Sequence, residues 1–84
     1  MYTYKFRRMK GEEIVTLIQN SIHPECILRT ENGVYYMEQV GDKMAIDINN
    51  GTIAWEPARH GEMMHSILSL RLYQWFGKGY IKAA

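Results

Sequence analysis

Hydrophobic and polar positions change period repeatedly along this chain. Tyr2, Tyr4 and Phe6 alternate with Thr3, Lys5 and Arg7, the period of two that a strand with an aromatic side and a basic side shows. Gly11 ends that run. Ile14, Leu17, Ile18 and Ile22 then recur at helical spacing behind Glu12 and Glu13, acids that suit the positive end of a helix dipole. Pro24 closes the segment, because the residue before a proline avoids helical backbone. A first helix is therefore predicted over about residues 11–20.

From Cys26 to Glu56 the period of two returns. Three pairs spaced nine residues apart punctuate it: Asn32-Gly33, Gly41-Asp42 and Asn50-Gly51. Such pairs supply the positive φ that two-residue hairpin loops need. Equal spacing predicts a four-stranded antiparallel meander over about residues 26–56. Pairing outward from two-residue loops aligns Leu28, Met37, Ile46 and Trp55 in one row and Thr30, Tyr35, Ile48 and Ile53 in the next. Both rows fall on one face, which is expected to be the core side. Asn49 leaves the last loop open to a three-residue form with a bulge. The opposite face carries Ile27, Arg29, Glu31, Val34, Tyr36, Glu38, Val40, Lys43, Ala45, Asp47, Ala54 and Glu56, the pattern of a sheet with one side in water. There Arg29, Tyr36 and Asp47 would set a cation and an anion on either side of a ring, as a surface pair or as a recognition patch.

After Trp55 the period lengthens again. Pro57 suits a first helical turn and Gly77 a helix end, so a second helix is predicted over about residues 59–76. Met63, Met64, Ile67, Leu68, Leu70, Leu72 and Trp75 span a wider arc than one sheet face requires, with Arg71 and Gln74 inside it. Either Arg71 snorkels its guanidinium to water at the sheet edge, or the helix buries a second side against another chain. The tail from Lys78 to Ala84 reads as a short edge strand or a loose peptide. Trp75, Phe76 and Tyr80 either close the bottom of the core or anchor an interface.

The expected fold is two-layer α+β in the order β-α-β-β-β-β-α. One face of the meander lies under both helices, and the N-terminal strand adds to a sheet edge. Eighty-four residues are expected to form a single domain. Net charge is +1, so no whole-molecule field favours nucleic acid or an acidic membrane. The lone Cys26 fits a reducing, cytoplasmic setting and reads as a small buried hydrophobe. No apolar run approaches the length of a membrane span, and the basic N-terminus lacks the apolar stretch of a signal peptide.

Motifs that carry chemistry are absent: no Gly-rich phosphate loop, CxxC, HExxH or GxSxG. His60 and His65 lie five apart, off one helical face; Glu62 and His65 have i, i+3 spacing but occur once, where a di-metal bundle needs two copies and further glutamates. A non-enzymatic chain without metal or cofactor is expected. The order helix, antiparallel strands, helix resembles that of double-stranded-RNA-binding domains in element order, but only Arg59 and His60 stand where a basic cluster would open the second helix.

Two functional classes remain. The leading expectation is a small protein-binding module, an inhibitor or regulator of the kind phages also encode. It would occlude a partner protein or self-associate, using Arg71, Gln74, Trp75, Phe76 and Tyr80. Six methionines suit adaptable interfaces. The alternative is nucleic-acid binding through Lys5, Arg7, Arg8 and Lys10, interleaved with the N-terminal aromatics. Strand geometry sends those rings and charges to opposite faces, so phosphate contacts would have to carry it.

Overall fold

A computed structural model describes residues 1–59 and 65–84. Strand β1 (Tyr2–Phe6) leads into helix α1 (Gly11–Ser21), and a 3-10 turn (Pro24–Cys26) follows. Strands β2 (Ile27–Glu31), β3 (Val34–Gln39), β4 (Asp42–Asp47) and β5 (Thr52–Glu56) form the meander. Helix α2 (Ile67–Gly77) and strand β6 (Ile81–Ala83) complete the chain. The six strands make one antiparallel sheet in the order β2-β3-β4-β5-β1-β6. The expected α+β order holds. The N-terminal strand does extend the meander at β5, and the tail strand β6 then covers its other side.

Both helices pack on one face. Ile14, Ile18 and Ile22 of the first helical segment meet Leu68, Leu72 and Trp75 of α2 over Met37, Met44, Ile46, Ile53 and Trp55. Cys26 is buried among them, and burial, followed by the charge of Glu25, pushes its thiol pKa up. Gly11 opens α1 against Ile48, where a Cβ would collide with that side chain's methyl.

The register differs from the two-residue arithmetic in three places. The first turn is as expected, with Asn32 at φ 51° and Gly33 at φ 80° and Thr30 opposite Tyr35. The second turn is Val40-Gly41 rather than Gly41-Asp42, so Met37 pairs Met44 and Tyr35 pairs Ile46. Asp42 is drawn inward instead of turning the chain: its carboxylate accepts the Ala58 N–H at 2.7 Å and the Ser66 hydroxyl at 2.6 Å. The third connection is the four-residue loop from Ile48 to Gly51, so Ile46 pairs Ile53 and Met44 pairs Trp55. Asp47 holds that loop by accepting the Asn50 N–H and side-chain amide. Ile48 thus leaves the predicted row but still packs, half-buried, against the core. A bulge between Ile27 and Arg29 is the third difference. It sets Ile27 opposite Met37 and turns Leu28 out to 61 % exposure, the reverse of the expected sides.

Helix α2 starts eight residues later than the predicted 59. Ser66 is its N-cap, and Ser66 and Ser69 bond each other's backbone N–H in a capping box. Gln39 accepts the Ile67 N–H. Met63, Met64, His60 and Glu62 lie outside the described residues. Gly79, just past the Lys78 C-cap, closes the helix in place of Gly77: at φ 73° it donates to Phe76 O while Tyr80 donates to Trp75 O, a Schellman closure.

Candidate functional site

Register puts Tyr2 opposite Trp55 and Tyr4 opposite Ile53, so both tyrosines point to the helix-covered side of the sheet. Helix α2 ends beside them. Tyr73 and Phe76 stand one turn apart on its outer flank, each 51 % exposed. Phe76 meets Tyr4 edge-on, with ring centroids 6.1 Å apart and planes at 76°. Burial, and then the neighbouring Tyr2, raise the Tyr4 phenol pKa. Tyr2, Tyr4, Phe76 and Tyr73 therefore gather as an aromatic rim where the β1 side of the sheet meets α2. Large rings on a fixed strand and a capped helix lose little entropy on docking, and tyrosine is enriched among the residues that dominate binding.

The other residues expected at this surface have different positions. Trp75 is only 3 % exposed and belongs to the core, because its helical position faces the sheet. Arg71 does not line an open flank: its Nε donates to the Ser21 carbonyl at 2.8 Å, capping the end of α1, and a terminal nitrogen donates to Gln74 Oε1 at 3.0 Å. Gln74 itself is exposed. Tyr80 is half-buried, its carbonyl accepts the Arg7 and Arg8 N–H groups, and its ring lies 5.8 Å from the Lys78 ammonium. Tyr73 and Tyr2 add to the residues expected at this surface. Their signal in the sequence is the i, i+3 spacing of Tyr73 and Phe76 and the alternation that sets Tyr2 on the same strand side as Tyr4.

The outer face of the sheet is a second surface, uncovered among the described residues. The Arg29 guanidinium sits 4.1 Å above the Tyr36 ring, as expected. Asp47 does not complete the row, because Tyr36 pairs Ala45 and Asp47 pairs Val34. Next to Tyr36, Ala45 and Ala54 floor a shallow groove of about 380 Å³ whose walls include Leu28, Lys43 and Glu56. Lys5 lies on this face beside Lys82. Arg7, Arg8 and Lys10 are exposed beyond the end of β1, where the backbone leaves the sheet, so the four N-terminal cations do not share one strand face.

A third recess, of about 470 Å³, is lined by His23, Glu25, Cys26, Glu38, Gln39 and Ile67. His23 Nδ1 accepts the Glu25 N–H at 3.3 Å and caps the 3-10 turn. Among the described residues no three His, Cys, Asp or Glu side chains are placed to hold a metal ion, and no helix is long and apolar enough to cross a membrane. Comparison with known proteins found no matching family model, no matching curated protein and no matching solved structure.

Proposed function

We propose that the chain is a small, non-catalytic binding protein that docks its aromatic rim on a partner protein and covers part of that partner's surface, as an inhibitor or regulator does. The carrying observation is the pair of half-exposed rings, Tyr73 and Phe76, at the end of a capped helix, with Phe76 set edge-on against Tyr4. Monomeric surfaces seldom leave several large rings together without use. The buried free thiol of Cys26 fits a reducing, cytoplasmic setting for this activity.

The test is affinity capture from lysate of the source cell, with and without nuclease, by the wild-type chain and by Tyr73→Ser/Phe76→Ser. A protein recovered by the wild type regardless of nuclease, and lost with the variant, is the expected result. Truncating a central ring should cost about 2 kcal/mol or more in binding, roughly a thirtyfold loss of affinity. Equal recovery by the variant would contradict the rim as the site. Recovery that vanishes with nuclease would favour the alternative, in which Lys5 with Lys82 and the exposed Arg7, Arg8 and Lys10 contact phosphates.

A further inference from the structure

The outer sheet face matches itself. We propose that two copies of this chain stack outer face to outer face about a two-fold axis that runs parallel to the strands, between β4 and β5. This is independent of the aromatic rim, which lies on the helix-covered side.

The register carries the argument. β4 and β5 are the middle strands of the six-stranded order, so the axis passes through the centre of the sheet. It sets β4 against β5 of the other copy, β3 against β1, and β2 against β6. Lys43 then faces Glu56 of the other copy, Ala45 faces Ala54, and Glu31 faces Lys82, each twice by symmetry. Tyr36, the largest side chain of the middle row, faces the small Thr3. No like charges oppose each other among these positions. The other in-plane axis, run across the strands through the same middle row, lays Arg29 against Arg29.

Lys43 and Glu56 are also neighbours within one sheet, yet they do not close an ion pair within 4.0 Å of each other. Stacking would place each Lys43 between its own Glu56 and that of the other copy, an alternating ring of four charges around the axis. Opposite-charge matching of this kind sets register and excludes wrong partners. Isologous two-fold contact is the commonest way for one chain to associate with itself, and packed sheets align to within about 30°, which the long Glu31 and Lys82 side chains can span. Six strands at about 4.8 Å spacing and about 17 Å length project a face of about 500 Å². Side-chain relief raises its accessible area toward the about 800 Å² that each partner buries in a stable complex.

The experiment is sedimentation of the full chain at up to about 100 µM, where a micromolar dimer is populated. The wild type, Lys43→Glu and the swap Lys43→Glu/Glu56→Lys are compared, with circular dichroism to show that each is folded. The wild type should sediment as a dimer of 9.9 kDa chains. Lys43→Glu puts four carboxylates around the axis and should weaken association at least about tenfold. The swap restores alternation and should restore the dimer. A wild-type monomer, a dimer indifferent to Lys43→Glu, or a swap that fails to rescue would each overturn the proposal. Phe76→Ser should leave the dimer intact, so failure here and failure of the rim as a binding site are read separately.

Discussion

At the scale of single residues, Val40 and Asp42 decide how the middle hairpin turns. Val40 stands at φ 52°, where a β-branched residue clashes with its own backbone, yet it is 64 % exposed and makes no core. The turn accepts that strain because moving it one residue on would pull Asp42 out of its site. Asp42 is 1 % exposed and accepts from both Ala58 and Ser66, tying the hairpin to the segment before α2 and to the helix cap. Two outcomes follow from this opposition. Val40→Asn supplies a residue that tolerates positive φ and should stabilise the fold by about 1 kcal/mol. Thermal unfolding would show this as a rise of about 4–8 °C in Tm. Asp42→Ala removes the acceptor of the part-buried Ala58 N–H and of the buried Ser66 hydroxyl and should cost about 2–4 kcal/mol in denaturant titration. Amide exchange in the first turn of α2 should accelerate with it. Unchanged exchange there would show that the helix cap stands without Asp42.

At the scale of elements, turns and loops separate what could be read in advance from what could not. Strand faces were legible for three of the four residues expected to line the core row: Met37, Ile46 and Trp55 are all buried. Their pairing partners were not legible. Each displaced loop moved the register by two residues, and a shift of two keeps every side chain on its side. The exception is Leu28, because a bulge adds a single residue and reverses the parity. Nothing in Cys26-Ile27-Leu28 announces a bulge. The late start of α2 was hidden because Ser66 and Ser69 form their box without the Glu or Gln that marks such a cap in sequence. Asp42 looked like a turn residue because its partners lie far off along the chain. At the candidate site Phe76 falls on the exposed flank of α2, whereas Trp75, one residue away, falls on the core face of the same helix.

The β4–β5 loop makes its own pH statement. The Asn50 N–H holds the Asp47 carboxyl below its usual pKa; burial, the next largest effect, opposes it, and the Asn50 side chain and the Asn49 N–H lower it further. A depressed folded pKa means that this stabilisation is present above the unfolded value of about 3.9 and is lost as pH falls through the lowered one. Asp47→Asn keeps an acceptor for the Asn50 N–H but cannot titrate. It should be less stable than the wild type near neutrality, and the gap should close as unfolding is followed down to low pH. A gap constant with pH would remove the ionised Asp47 from the account.

At the scale of the whole molecule, a single sheet divides the chain into two surfaces of different character. The helix-covered side buries one core and leaves the aromatic rim at its edge; the outer side stays open and carries alternating charges around two alanines. Stacked copies would present two rims facing away from each other, so a partner with two sites would be held with more avidity than one rim provides. The capture experiment with Tyr73→Ser/Phe76→Ser belongs to this scale, because the variant should fold and still associate with itself while losing the partner.

The most direct measurement is site-specific photocrosslinking in the source cell, with the photoreactive group placed at Phe76 and, in a separate chain, at Ala54. The group at Phe76 should label a different protein, and the group at Ala54 should label a second copy of this chain. No protein adduct at Phe76, or labelling of one and the same partner from both positions, would contradict this.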